Sequence, residues 1–243
     1  YKALEDWQID VDVVDGSIFK DQTADQYEVL VLAANDCYAL DPDSELEQGI
    51  AAWVKNGGML LHGPMDLLAQ ASVGSRCLSH EKDAFECSGE KGMLTGTQFG
   101  SFEEENADVL AVWETDENPA IVKRTFGKGT VCEIGFFYGF EYTGRIAPHV
   151  PLTQRNNELY PLTMLKKDPV GMLLEEKFGT TLTRKKGVER AEFENGTVIV
   201  NHSSYPCRID EPGTRYFQNP ELYQDLDSKI LLPHMGVFIE RKV

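Results

Sequence analysis

Residues 51–66 read AAWVKNGGMLLHGPMD, which places a helix end, a short apolar strand and a polar turn in close succession. The pair Gly57-Gly58 predicts the end of the helix, because glycine closes helices at little conformational cost. The strand over 59–62 is apolar on both faces, which is typical of a strand buried inside an α/β sheet. The turn at 62–66 lies where many α/β enzymes carry a nucleophile, yet it contains neither serine nor cysteine.

The helix before this strand is marked at its start as well. Asp41 is predicted to cap it, and Pro42 fits its first position. Its inward face follows helical spacing and consists of Leu46, Ile50, Trp53 and Val54.

Two strands are predicted upstream of this helix. Residues 27–34, YEVLVLAA, form an apolar run that predicts a strand buried on both faces. Residues 9–13 alternate between apolar and acidic side chains, which predicts a short strand. The order of elements predicts an α/β fold with a doubly wound, mostly parallel sheet of the amidotransferase-like or flavodoxin-like type.

The second half of the chain changes character. Strands are predicted at 109–115, 119–126 and 129–137. The FGKGT turn between the last two predicts an antiparallel pair added to the sheet, whereas 66–100 read as loops and short pieces over one face. A helix follows Asp168-Pro169, with Val170, Leu173, Leu174 and Phe178 facing inward. We therefore expect an α/β domain over 1–180 and a small antiparallel β domain over 186–243, with the turn of its first hairpin at Asn195-Gly196.

Composition narrows the classes of partner. The formal net charge is −17, with 40 acidic against 23 basic residues, which argues against nucleic acid and anionic membranes and favours neutral or cationic partners. The five cysteines form no C-x-x-C pair, which favours a reducing compartment and a cytoplasmic location. The chain does not begin with methionine, so we expect a processed chain or a segment of a longer one.

Two residues could carry nucleophilic chemistry. Cys37 follows a predicted strand and precedes a predicted helix, and His62 could lie near it across the sheet as a base. The alternative is that Cys37 is a small loop residue and that His62 is a strand-end histidine bonded to the backbone.

Other sites are less well supported by the pattern. No phosphate-binding glycine motif and no clustered metal ligands occur, so we expect neither cofactor nor metal. Tyr138, Phe140 and Tyr142 alternate, and on a strand they would share one face. That face could stack on carbohydrate, or it could serve as core and interface.

These segments together resemble a known family. IDVDVVD (9–15), YEVLVLAAND (27–36), YALDPDSELEQGIAAWVKNGGMLLHGP (38–64) and VLAVWETDENPAIVKRTFGKGTVCEIGFFYG (109–139) resemble the trimerization domain of family 42 β-galactosidases. LLPHMGVFIERK (231–242) is similar to the end of the small β domain that closes those enzymes. The resemblance implies a domain like the class I glutamine amidotransferases whose nucleophile is missing.

The family's catalytic barrel takes about 250 residues of repeating βα units, and no such repeat occurs here. No catalytic residue can therefore be carried over. Three hypotheses follow. In the first, the chain is a non-catalytic assembly module whose partner is either a second copy or a glycosidase catalytic domain. In the second, it is a stand-alone amidotransferase-like hydrolase that uses Cys37 and His62. In the third, it is a carbohydrate-binding module.

Overall fold

The computed structural model describes residues 2–32, 44–63, 77–79, 84–94, 99–102, 106–143, 165, 168–185, 187–224 and 226–241. The chain forms two compact units. The mixed-sheet unit comprises 13–145 and 158–179, and the small β unit comprises 1–12, 146–157 and 180–243. Within the described residues, no helix is both long and apolar enough to cross a membrane.

The helices are α1 Lys2–Asp6, α2 Ser17–Lys20, α3 Glu45–Lys55, α4 Tyr138–Thr143 and α5 Pro169–Phe178. The strands are β1 Val29–Leu32, β2 Met59–His62, β3 Cys77–Ser79, β4 Ala84–Cys87, β5 Glu90–Met93, β6 Phe99–Ser101, β7 Asp108–Trp113, β8 Pro119–Phe126, β9 Gly129–Ile134, β10 Val188–Phe193, β11 Gly196–Asn201, β12 Cys207–Arg208, β13 Thr214–Phe217, β14 Ile230–Leu231 and β15 Gly236–Glu240.

The main sheet has seven strands in the order β1-β2-β9-β8-β7-β4-β5. The parallel arrangement predicted for it is found where β2 pairs with β1 and β9. The four pairs β9-β8, β8-β7, β7-β4 and β4-β5 are antiparallel, so the sheet as a whole is mixed. The α/β class and the separate small antiparallel sheet are confirmed, while double winding stays a prediction.

Three local expectations were wrong. Residues 9–13 form no strand, because alternation gives only a propensity and no neighbouring strand pairs with them. Residues 66–100 contain β4 and β5, which join the main sheet. Strand β1 is not buried on both faces: it ends the described sheet, and Val31 is half-exposed.

Helix α3 is capped by Ser44 rather than by Asp41. The Ser44 hydroxyl accepts from the Glu47 backbone N–H at 3.2 Å, in the spacing of a capping box. Asp41 and Pro42 lie outside the described residues. The predicted apolar face is confirmed, since Ile50, Trp53 and Val54 are buried and Leu46 packs against the same cluster.

The glycines at the end of α3 and those of the β8–β9 turn meet in space. The Lys128 N–H donates to the Lys55 carbonyl, and the Thr130 N–H donates to the Gly58 carbonyl. A Cβ atom at Gly129 would lie 2.0 Å from the Val54 carbonyl oxygen, so only glycine fits there. FGKG is therefore a turn that docks the antiparallel hairpin on the helix end, as the turn signal predicted.

Replacing Gly129 by alanine is expected to destabilise the mixed-sheet unit by about 1–3 kcal/mol, because backbone atoms must move away from the new methyl group. Urea unfolding followed by circular dichroism measures the loss. Gly139→Ala is the matched control, since a Cβ atom there meets nothing within 4 Å. Equal stability of the two variants would contradict the close approach.

The predicted helix at 168–178 is confirmed as α5. The Asp168 carboxylate accepts from the backbone N–H groups of Val170 and Gly171, and Gly179 closes the helix with a φ of 62°. One inward position was wrong, because Phe178 is exposed at the last turn.

The small β unit is a four-stranded antiparallel sheet, β10-β11-β15-β13, joined by the β12-β14 pair. The turn between β10 and β11 consists of Glu194 and Asn195, and Gly196 is already paired with Phe193. The chain start belongs to this unit: the Gln8 side chain donates to the Val188 carbonyl, and the Gly187 N–H donates to the Asp6 carboxylate. Its core consists of Val188, Ile199, Ile209, Tyr223, Leu231, Val237 and Ile239.

Candidate functional site

The turn that follows β2 is the first place to look for chemistry. His62 ends the strand with a side chain only 1% exposed. Its Nδ1 lies 2.9 Å from the Gly63 carbonyl oxygen, and because a carbonyl only accepts, Nδ1 carries the proton and donates. Residues 64–66 and Cys37, the predicted nucleophile, lie outside the described residues. This geometry matches the backbone-bonded histidine that the sequence offered as an alternative to a base.

A buried ionic cluster lies beside His62 on the neighbouring strands. Glu133 of β9 is the register partner of His62, and its Oε1 lies 3.9 Å from His62 Nε2. Arg124 of β8 donates from Nε to Glu133 Oε2 at 3.0 Å. All three side chains are buried, and the Arg124–Glu133 hydrogen bond offsets part of the hydration that these two charges lose on folding.

The Arg124–Glu133 pair was not predicted from the sequence. A signal was present, because Arg124 and Glu133 each follow an apolar run in the strands PAIVKRTF and GTVCEI and lie at buried positions there. Charges at such positions are rare unless they are paired. We interpret the cluster as one that fixes the register of β2, β9 and β8, because a slip by one residue would leave a buried charge without its partner.

The placement of the cluster bears on catalysis by His62. A general base must reach the proton that it removes within about 3 Å, either directly or through one water. The His62 ring is enclosed by the sheet, and one of its nitrogens is engaged by its own turn. The described arrangement thus supports a structural role, and the use of Cys37 and His62 in hydrolysis stays a prediction.

The predicted aromatic strip lies on a helix, which corrects the strand interpretation. Tyr138, Phe140 and Tyr142 belong to α4, so alternate residues do not share a face. Tyr142 is only 2% exposed, and its ring centroid lies 5.8 Å from that of Tyr138, one helical turn away. A stacking surface for carbohydrate needs exposed rings, and buried Tyr142 does not provide one. Of Phe140 only the place in the helix is described.

Tyr138 connects α4 to the start of α5. Its hydroxyl donates to Asp168 Oδ2 at 2.6 Å, while Asp168 Oδ1 caps α5. Both carboxylate oxygens of this buried residue are thereby used. Tyr138 thus helps to position α5, and the role of the three aromatic residues in carbohydrate binding or at an interface stays a prediction.

The described residues contain no group of three or more histidine, cysteine, aspartate and glutamate side chains that could hold a metal ion.

Burial makes the Cys132 thiol a poor nucleophile. It raises the pKa of this thiol from the ordinary 9.0 to about 12, against a smaller opposing effect of Lys123. At pH 8 the reactive thiolate is therefore scarce. We expect iodoacetamide to leave the Cys132 peptide unmodified in the native chain and to alkylate it in urea, with mass spectrometry as the measurement.

The same shift gives a dependence of stability on pH. Because the folded chain favours the neutral thiol, the contribution of Cys132 to stability is complete below pH 9 and is lost as the pH rises toward 12.

Cys207 is the control for the alkylation experiment. Burial raises its pKa as well, but it is less enclosed than Cys132, so iodoacetamide should modify it first. Alkylation of native Cys132 as fast as of Cys207 would contradict the burial.

No family model matches the sequence, and no curated protein matches it. Solved structures do match, at 14–18% sequence identity. Gan42B, a GH42 β-galactosidase from G. stearothermophilus, aligns with 100% of this chain and 35% of its own at a TM-score of 0.62 and 14% identity. The β-galactosidase of Halorubrum lacusprofundi aligns with 99% of this chain and 35% of its own, at a TM-score of 0.66 and 18% identity. The β-galactosidase of Marinomonas ef1 aligns with 100% of this chain and 33% of its own, at a TM-score of 0.59 and 18% identity.

The likeness predicted from the sequence is therefore confirmed at the level of the fold. The chain spans about a third of the length of the enzymes that it matches. Since one fold hosts many functions, this likeness by itself assigns no activity. The chain has the fold of one third of a GH42 β-galactosidase.

Proposed function

We propose that this chain is a non-catalytic assembly module of a longer glycoside hydrolase of the GH42 kind. The observation that carries the proposal is the coverage. The match takes in 99–100% of this chain and only 33–36% of each β-galactosidase of this group, so the remaining two thirds of those enzymes have no counterpart among these residues.

The geometry around β2 supports a role without chemistry. In a hydrolase of this architecture the turn after a central strand exposes its nucleophile. Here that strand ends in a histidine which is buried and bonded to the backbone, and its charged neighbours are paired inside the sheet. The proposal therefore includes the finer interpretation of the mixed-sheet unit as an amidotransferase-like trimerization domain without a nucleophile.

The partners follow from this role. The module contacts further copies of itself or a glycosidase catalytic domain, and its excess of acidic residues makes nucleic acid and anionic membranes unsuitable partners. A cytoplasmic location belongs to the proposal, and it is consistent with Cys132 and Cys207 forming no disulfide.

Two measurements on the purified 243-residue chain test the proposal. Sedimentation velocity should give a species heavier than the 27.2 kDa monomer at micromolar concentration. An assay with nitrophenyl galactoside should give no turnover above buffer. A strictly monomeric chain that hydrolyses the galactoside would overturn both parts of the proposal.

The stand-alone hydrolase is tested separately, with amide and ester substrates and the variant Cys37→Ala. An activity that disappears in this variant, with circular dichroism unchanged, would replace the assembly role by the enzyme. The size of the polypeptide in its source cells, measured by immunoblot, is the complementary observation. A band much larger than 27.2 kDa is expected.

A further inference from the structure

The sheet of the small β unit has a second face that its core does not use. Ile199, Val237 and Ile239 point into the core. Because neighbours along a strand alternate between faces, Val198 and Phe238 point the opposite way. The pairing places Ala191, Val198, Phe238 and Tyr216 in one row across all four strands.

Three aromatic residues on this face form what we call the aromatic platform: Phe193, Tyr216 and Phe238. Phe193 pairs with Gly196, and Gly196 pairs with Glu240, two residues along β15 from Phe238. Phe193 therefore lies on the same face as Phe238, in the adjacent row of paired residues. Tyr216 is 54% exposed and Phe193 is 53% exposed, although aromatic rings are usually buried. The platform crosses three interstrand spacings, or about 14 Å.

Two of the three rings, those of Phe238 and Tyr216, are positioned by contacts with their neighbours. The Phe238 ring lies over Gly196, where a Cβ atom would approach it to 2.7 Å. The Tyr216 ring is nearly parallel to that of Phe238, with planes 27° apart and centroids separated by 6.2 Å. The Tyr216 hydroxyl donates to Glu240 Oε2 at 3.1 Å, which fixes the outer ring. Such prior order lowers the entropy that a ligand must remove on binding.

The charges on this face restrict the ligand. Along the paired rows of β10, β11, β15 and β13 the charged side chains on the platform side are Glu189 and Glu240, with no lysine or arginine among them. Glu189 lies 2.8 Å from His202, so Glu240 is the acidic group nearest the rings that has no histidine beside it. Acidic ligands would be repelled. A second copy docking face to face would set these carboxylates against each other, which disfavours self-association through this surface.

We propose that the aromatic platform binds a neutral oligosaccharide, with pyranose rings stacked on Phe193, Tyr216 and Phe238. The apolar C–H groups of a pyranose ring complement the negative face of an aromatic ring. The hydroxyl groups at the ring edge donate to carboxylates, and Glu240 offers one at the border of the platform. A neutral, polyhydroxylated ligand satisfies both the apolar surface and the acidic border. This proposal depends on the small β unit alone and does not rest on the assembly role.

Affinity electrophoresis of the 243-residue chain in native gels tests the platform. The gels contain soluble galactan, galactomannan or hydroxyethylcellulose. At least one of these polysaccharides should retard the chain. Tyr216→Ala and Phe193→Ala should each raise the apparent dissociation constant about tenfold, because each removes one stacking surface. Tyr205→Ala is the matched control: this tyrosine of the same unit is 67% exposed and lies off the platform, so retardation should persist.

Each other outcome rejects the proposal. Absence of retardation by all three polysaccharides rejects it, and so does retardation that Tyr216→Ala and Phe193→Ala leave unchanged. Retention of a basic peptide instead, weakened by salt, would assign the platform to a cationic partner. Loss of self-association in Tyr216→Ala would assign it to a second copy. Circular dichroism of each exposed-site variant verifies that the fold is retained.

Discussion

Replacing Trp113 by alanine is expected to lower the free energy of unfolding of the mixed-sheet unit by about 3–5 kcal/mol. The indole is completely buried, and its Nε1 donates to the Gly100 carbonyl at 3.0 Å. Phe136 packs edge-on against it at 6.2 Å between ring centroids and stacks on Phe85 at 5.1 Å. The substitution removes the largest side chain of this aromatic cluster and leaves the Gly100 carbonyl without the indole donor.

Urea unfolding followed by circular dichroism measures the effect, since fluorescence would change with the tryptophan itself. Trp113→Phe retains an aromatic ring but not the N–H donor, so it should lose less than the alanine variant. Val109→Ala on the same strand is the matched control and should cost less than about 1 kcal/mol, because Val109 is partly exposed. A Trp113→Ala loss as small as that of Val109→Ala would contradict the packing described.

The second large effect is expected at the buried ionic cluster. Arg124→Met should destabilise the mixed-sheet unit by about 3–5 kcal/mol, because it leaves the Glu133 carboxylate buried without its guanidinium partner. The loss of stability comes from the buried charge that remains, so the double variant Arg124→Met/Glu133→Leu should regain much of the lost stability. Paired apolar groups of similar volume carry no desolvation penalty.

Lys91 and Glu114 provide the comparison on the surface. They also form an ion pair, which joins β5 to the turn after β7, but both side chains are half-exposed. Lys91→Met should therefore cost less than about 1 kcal/mol. The cluster would not have the role assigned to it if Arg124→Met were equally mild, or if the double variant were less stable than Arg124→Met alone.

Several elements could be predicted from the sequence because their signals are local. Asp168 and Gly179 delimit α5 through contacts within a few residues along the chain. The β8–β9 turn was predicted by its glycines, and the apolar face of α3 by its spacing. The start of α3 was misplaced because two capping signals lie close together, and Ser44 uses the second.

Candidate sites were harder to predict, because a site is a spatial arrangement. Tyr138 and Tyr142 were placed on a strand by their alternation, yet they lie one turn apart on a helix that is tied to Asp168 through Tyr138. The platform of Phe193, Tyr216 and Phe238 was not recognised, because its members come from three strands that only pairing brings together.

The sequence by itself determined the elements with short-range signals: the caps of α5, the glycine turn and the excess of acidic residues that limits the partners. The tertiary structure decided which strands are neighbours and in which direction they run. It thereby placed Arg124 against Glu133 and left Phe193 and Tyr216 exposed on one face. The physical reason is that strand pairing and burial are set by contacts between distant parts of the chain, whereas a cap or a turn is complete within a few residues.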